Sequence, residues 1–144
     1  MTSTIVLELP YPPTANTYWR HVGSKVLISA KGRQYREAVI WAVRKARGVG
    51  KVPPEPIVSE IAFLGFWWPP DLRRRDGGNL SKAVLDSLTH AGLWADDSRV
   101  VDERWVKRGV QPGGRLLLVI DEANPLGLAL VEAQVLGGKT PPER

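Results

Sequence analysis

Two acidic positions flank one predicted helix in this chain. Asp76 comes just before the helix, and Asp97 comes just after it in a short acidic turn. Carboxylate oxygens are ligands that Mg²⁺ prefers, and a bound Mg²⁺ can activate water for the hydrolysis of a phosphodiester bond. Lys82, one turn into the helix, could neutralise the scissile phosphate. The residue types therefore predict a hydrolytic site with Asp76, Asp97 and Lys82 as catalytic residues. Asp76 and Asp97 would bind the metal, and Asp96 is a further candidate ligand.

The same residues also have an ordinary structural interpretation. Asp76 could interact favourably with the helix dipole, and Asp96 and Asp97 could be common turn residues. Lys82 and Asp86 are four residues apart and could pair on an exposed helix face. Spacing alone leaves both interpretations open and favours the structural one, because short motifs often match by chance.

Basic residues are clustered along the chain. The formal net charge is +5 and the sequence pI is near 9.8, which indicates a surface that attracts polyanions such as nucleic acid. Positive side chains concentrate in the run Arg73–Arg75, in the first long predicted helix and at Lys107–Arg108. A group of acids within such a basic chain resembles a metal site in a DNA-binding surface.

The composition excludes several kinds of site. The 144 residues suit one domain, and the absence of cysteine rules out disulfides, thiolate zinc sites and cysteine nucleophiles. The apolar stretches are interrupted before they reach membrane-spanning length, and the N-terminus lacks the pattern of a signal peptide. We therefore expect a cytoplasmic protein that does not bind membranes.

Apolar periodicity predicts six main elements in the order β-α-β-α-β-β. These are Ile5–Leu9, Ala30–Arg47 with Ser29 as N-cap, Ile57–Trp67, Leu80–Ala91 with Asn79 as N-cap and Gly92 at C′, Val100–Lys107 and Arg115–Ile120. A loop or short hairpin arm is predicted over Thr14–Lys25. A turn over Gln111–Gly114 is predicted to join the last two strands as a hairpin. The fold class is therefore α/β, with a single mixed sheet and two packed helices.

A long segment of the chain resembles a known family. The run from Arg73 to Asp102, RRRDGGNLSKAVLDSLTHAGLWADDSRVVD, resembles the signature of the RusA family of Holliday junction resolvases, which are crossover junction endodeoxyribonucleases. The opening loop Leu9–His21, the helix start Ser29–Arg36 and the turn Gly113–Arg115 are similar to that family as well. The similarity covers about residues 5–122. Residues 1–123 are therefore predicted to form a RusA-like endonuclease domain, and 124–144 an extension with a short helix near Leu126–Leu136 and a loose tail.

The resemblance implies a function and a set of roles. A RusA-like protein would be a homodimer that makes paired nicks across a four-way DNA junction, in DNA recombination and repair, with Mg²⁺ as cofactor and Mn²⁺ as an alternative. The match carries over Asp76 and Asp97 as metal ligands and Lys82 as the catalytic lysine. The residues expected to contact DNA come from the arginine run, the opening loop and a later strand, namely Arg73, Arg74, Arg75, Asn16, Tyr18, Arg20 and Lys107.

One position departs from the family pattern. The family usually has an aspartate two residues after the first one, and this chain has Gly78 there. In one interpretation the site keeps a weaker metal affinity, helped by Asp96, Asp102 or Asp71. In another the protein binds junctions without cutting them, and in a third it is a structural DNA-binding protein. We favour the first, because the other acids and Lys82 are retained, and uncompensated carboxylates would repel phosphate.

Overall fold

The computed structural model describes residues 4–75 and 77–122, together with residue 135. Its elements are β1 (Ile5–Leu9), α1 (Ala15–Tyr18), β2 (Trp19–Val22), β3 (Lys25–Ile28), α2 (Ala30–Gly48), β4 (Ile61–Trp68), α3 (Gly77–His90), β5 (Val100–Lys107) and β6 (Arg115–Glu122), with a short 3₁₀ turn over Asp97–Arg99 between α3 and β5. The predicted α/β class with a mixed sheet is confirmed. The predicted arm after β1 is a two-stranded antiparallel hairpin, β2–β3.

The main sheet has the strand order β1-β6-β4-β5. β4 pairs in parallel with β5 and antiparallel with β6, so the predicted hairpin between β5 and β6 is wrong. The two strands lie on opposite sides of β4, and the chain between them is tied to the end of β4 by Arg108 N–H to Trp67 O (2.8 Å) and Gln111 N–H to Pro69 O (2.9 Å). β4 takes a central position because seven consecutive residues are buried, which requires cover on both faces.

The N-terminal part of the predicted second strand has another role. Ile57 lies outside β4 and forms an isolated parallel bridge with Trp94. Its N–H donates to Leu93 O at 2.9 Å, and its carbonyl accepts from Ala95 N at 3.3 Å. These bonds hold the chain that leads into the acidic turn.

The two long helices pack against each other on one face of the sheet. Ser29 caps α2 as predicted, since its hydroxyl accepts from Gly32 N–H at 2.9 Å. α3 begins at Gly77, so the prediction of Asn79 as N-cap is wrong and Asn79 lies in the first turn. A Cβ on Gly77 would lie 3.2 Å from Trp105 Cβ, so the bare glycine lets the helix start close to β5. Gly92 has φ of +73°, as the predicted C′ position requires.

The core lies on both sides of the sheet. The larger cluster joins β1, β4 and β6 to the helices, and the smaller one consists of Ala62, Leu64, Phe66 and Val119 on the other face, with Val135 packed against it. Apart from Val135, the predicted extension 124–144 lies outside the described residues, so the domain division stays a prediction. None of the helices in the described part is long and apolar enough to cross a membrane.

Candidate active site

Two hydrogen bonds fix the position of the acidic turn that contains Asp96 and Asp97. Asp96 caps the 3₁₀ turn, because its Oδ1 accepts from Ser98 N–H at 3.0 Å. Trp94, just before it, is 1% exposed, and its indole N–H donates to Thr89 Oγ1 of α3 at 2.8 Å. The turn therefore lies against α3, and both Asp96 and Asp97 remain exposed to solvent.

Several neighbouring carboxylates raise the pKa of Asp97. A hydrogen bond with Asp96 raises the pKa of Asp97 above its ordinary value, with further contributions from burial and from the charges of Asp96, Asp86 and Glu103. The pKa of Asp96 is lowered instead, chiefly by the hydrogen bond from the Ser98 backbone. Negative charge is thus concentrated around Asp97, and a nearby cation would relieve this repulsion.

Glu103 connects β5 to the first turns of α3. Its Oε1 accepts a hydrogen bond from Ser81 Oγ and another from Trp105 Nε1, at 2.8 Å for the latter. Trp105 in turn packs against Phe63, with 5.3 Å between the ring centroids. Lys82, the predicted catalytic lysine, is exposed and directly follows Ser81. The structure therefore brings Glu103 to the turn of α3 that carries Lys82, although Glu103 had no predicted role there.

Asp86 is the centre of a polar network behind the site. Its Oδ2 accepts from Arg36 Nε at 3.0 Å and Nη2 at 2.8 Å, and from the hydroxyl of Tyr18. The network joins α1, α2 and α3. Helical spacing predicts a pair of Asp86 with Lys82 alone, because contacts across elements do not follow from that spacing.

The prediction that Tyr18 contacts DNA directly is wrong. Its side chain is 0% exposed, because the ring packs in the core, 4.8 Å from the Trp19 ring, while the hydroxyl bonds to Asp86. Burial is also the main reason why the pKa of Tyr18 is raised. The neighbouring candidates Asn16 and Arg20 are exposed on α1 and β2, so they remain predicted DNA contacts.

The arginine run divides into one held and two exposed side chains. Arg75 pairs with Asp71 at 2.5 Å and is 15% exposed, whereas Arg73 and Arg74 are exposed, with Arg73 Nε 4.0 Å from Asp71 Oδ2. The hydrogen bond from Arg75 lowers the pKa of Asp71 to about 2. Lys107 is also exposed, with its Nζ 5.3 Å from the centre of the Trp67 ring.

Two of the acids expected to help the metal site are engaged by arginines. Asp71 is paired with Arg75, and Asp102 is paired with Arg104 at 3.2 Å. An acid whose charge is already balanced attracts a cation less strongly. Of the three expected helpers, only Asp96 lies in the acidic turn.

The donor chemistry at the acidic turn fits a hard divalent cation. Asp96 and Asp97 are exposed carboxylates, and carboxylate oxygens suit Mg²⁺. Within residues 4–75 and 77–122, no three acidic or histidine side chains form a complete metal-binding group. Asp76, the other predicted ligand, lies outside the described residues.

Comparison with known proteins decides the family. The family described as Endodeoxyribonuclease RusA matches residues 10–119 of this chain. The chain belongs to the RusA family. It is 44% identical to the crossover junction endodeoxyribonuclease RusA of Shigella sonnei strain Ss046, and 43% identical to proteins of that name from Escherichia coli strain K12 and Enterobacteria phage 82. Each alignment spans 121 residues, which are 83% of this chain and 96% of the relative.

The family assignment confirms the resemblance drawn from the sequence and leaves the site roles as predictions. In this RusA-family chain the structure places Asp97, Asp96 and Lys82 on or beside α3.

One weak feature of the sequence indicated the position of Glu103. Strand alternation places it on the same face of β5 as Trp105, whose partly buried side chain packs toward the helices.

Proposed function

We propose that this protein is a crossover junction endodeoxyribonuclease, which resolves four-way DNA junctions by Mg²⁺-dependent hydrolysis. The observation that carries the proposal is the match to relatives of that name over 96% of their length. The acidic turn supports it, because it presents two exposed carboxylates next to α3, the helix that also carries exposed Lys82. DNA recombination and repair are the processes that need such an activity, and in bacteria we expect it to act in the cytoplasm, where the DNA lies.

The chain's own residues have distinct tasks in this proposal. Asp97 and Asp76 would hold the metal, with Asp96 fixing the turn that presents Asp97. A bound Mg²⁺ supplies an activated water and stabilises negative charge on the phosphate. Lys82 offsets the charge of the scissile phosphate or of the leaving oxygen. Exposed Arg73 and Arg74 bind backbone phosphates and orient the DNA.

We further propose that the active form is a homodimer. A four-way junction has two-fold symmetry, and resolution requires two nicks at symmetric positions. A symmetric dimer presents two equivalent sites at once. The basic balance of the chain, +5 per copy, supports binding to a substrate in which several phosphate backbones converge.

A second function is favoured by one observation. Gly78 stands where the family pattern has an aspartate, so a junction-binding protein without cleavage activity is the alternative. Retention of the acidic turn and of Lys82 argues for the enzyme.

The test uses a labelled synthetic four-way junction, incubated with the protein in Mg²⁺, in Mn²⁺ and in EDTA. We expect paired nicks in either metal and none in EDTA, with a linear duplex left uncut. Binding without nicks in both metals would instead support the alternative. Equal affinity for duplex and junction at moderate salt would contradict both functions.

A further inference from the structure

The face of the main sheet opposite the helices is buried at its centre. The side chains that β4 and β6 present there are 0–1% exposed, namely Ala62, Leu64, Phe66 and Val119. α2 and α3 do not cover them, because both helices pack on the other face of the sheet. Complete burial of a sheet face requires a further layer above it. The burial is present in a single copy of the chain, so another segment of the same chain must supply that layer.

The covering layer is narrow. Val6 of the edge strand β1 lies directly opposite Val119 of β6 and points to the same face, yet Val6 is 42% exposed and Val119 is fully buried. The layer therefore ends between β6 and β1. Neighbouring strands lie about 5 Å apart and a helix is about 10 Å wide, so one helical segment over β4 and β6 is sufficient.

Val135 identifies the segment that provides this layer. Among the hydrophobic residues described as packing against the buried cluster, Trp68, Val106 and Leu117 belong to the sheet itself. Val135 is the fourth, and it comes from the chain beyond β6. The match to the family model ends at residue 119, so the segment that carries Val135 lies outside the matched part. The cover is therefore built from residues that this chain has in addition to the family pattern.

The sequence around Val135 has the pattern of such a cover. The stretch Leu126–Leu136 is rich in apolar residues, and Leu128, Val131 and Val135 recur at spacings of three and four. In a helix this spacing would place the three side chains on one face. An apolar stripe of this kind needs an apolar surface to pack against, and the centre of the sheet face is one.

We propose that residues 126–136 form a third layer of the domain and cover the centre of this sheet face, with Leu128 and Val131 packed on it beside Val135. The segment then belongs to the folded domain, and it prevents exposure of an apolar surface that would otherwise favour association. It also reserves this face, so DNA and a second copy of the chain must bind elsewhere. The inference goes beyond the proposed function and does not depend on it.

The test is the reactivity of single thiols in the full-length protein, which has no cysteine of its own. Ala62→Cys places a thiol under the proposed cover, and Ala83→Cys places one on the helix side. Both alanines are 0% exposed, so both thiols should react slowly with a disulfide reagent such as dithionitrobenzoate. Val6→Cys, on the open part of the same sheet face, should react rapidly. Rapid reaction of Ala62→Cys would overturn the inference.

A stripe variant, in which Leu128, Val131 and Val135 are all replaced by serine, tests the identity of the cover. In this background we expect the reaction of Ala62→Cys to become about 100-fold faster or more, because the face opens locally. Ala83→Cys should change by less than about tenfold, because the helix side stays packed. An unchanged rate for Ala62→Cys in a folded stripe variant would show that another segment covers the face.

Two controls complete the experiment. Replacing Glu132 and Gln134 with serine changes the same segment outside the stripe and should leave both rates unchanged. If the stripe variant unfolds, Ala83→Cys will react as fast as Ala62→Cys. The single change Val135→Ser, at a partly exposed position, then replaces it and must raise the rate of Ala62→Cys selectively. Absence of that selective rise would overturn the inference. Protection of Ala62→Cys that depends on protein concentration would also overturn it, because a second copy would then be the cover.

Discussion

At the scale of single residues, Asp97 is the described acid on which the proposed chemistry depends most. Asp97→Asn should lower the cleavage rate by about 100-fold or more, because a ligand of the charge-stabilising metal is lost. Junction binding should stay equal or become stronger, since one negative charge near the phosphates is removed. The measurements are single-turnover cleavage and a binding titration on the same junction. Full cleavage would reduce Asp97 to an ordinary turn residue, because asparagine serves turns equally well.

The ion pair between Asp71 and Arg75 should make the stability of the fold depend on pH. Its pKa is lowered to about 2, mainly by the hydrogen bond from Arg75. A lowered pKa in the folded state stabilises the fold above the unfolded pKa of about 4, and that stabilisation is lost as the pH falls toward 2. Asp71→Asn should therefore lower the melting temperature slightly at pH 7 and by less near pH 2, where much of the Asp71 carboxyl is protonated in the folded state. Thermal unfolding at both pH values checks this. An equal loss at both would exclude the charge as the cause.

At the scale of elements, the network around Asp86 joins α1 to α2 and α3. Tyr18→Phe removes the hydroxyl that bonds to Asp86 and keeps the buried ring. The free energy of unfolding should fall by about 1–3 kcal/mol, since buried hydrogen-bonding groups lose a partner. Urea unfolding measures the change. Asn16→Ala, an exposed change on the same short helix, is the control and should have a much smaller effect. Similar losses in both variants would contradict a structural role for the hydroxyl.

The start of α3 determines whether the family motif can be restored. Gly78 lies within the helix, so an aspartate there needs no left-handed backbone and is favoured by the helix dipole. Gly78→Asp should therefore fold normally and reach half-maximal cleavage at a lower Mg²⁺ concentration. Cleavage rates over a range of Mg²⁺ concentrations, with circular dichroism as a folding control, test this. A folded variant with an unchanged Mg²⁺ requirement would show that the missing carboxylate does not limit the site.

At the scale of the whole molecule, exposed basic residues should govern DNA affinity. Arg73 and Arg74 are the exposed members of the run, whereas Arg75 is held by Asp71. Replacing both exposed arginines with glutamine should weaken junction binding and reduce the slope of log affinity against log salt by about two per copy. Binding titrations at several salt concentrations measure the slope. Arg75→Gln is the comparison, and we expect a smaller change in slope. Unchanged affinity in the double variant would place the DNA elsewhere on the molecule.

Much of the local structure followed from the order of residues. β1 and β5 have the predicted bounds, and the cap at Ser29 and the left-handed Gly92 lie where local chemistry requires them. These features depend on residues a few positions apart, so periodicity and turn chemistry are sufficient to predict them. The acidic turn and Lys82 were found in the same way, because their motif is contiguous in the chain.

Other features were decided only by tertiary structure. The side of β4 on which β5 and β6 lie depends on pairing between distant strands, and local alternation carries no such information. Tyr18 was predicted to contact DNA as part of the opening loop, yet its ring is buried and its hydroxyl bonds to Asp86, 68 residues away. Glu103 and Ser81 are brought together in the same way, by the packing of β5 against α3. Sequence by itself determined which chemical groups the protein has and the family to which it belongs. Only folding decided which of those groups meet, because each meeting depends on the packing of elements far apart in the chain.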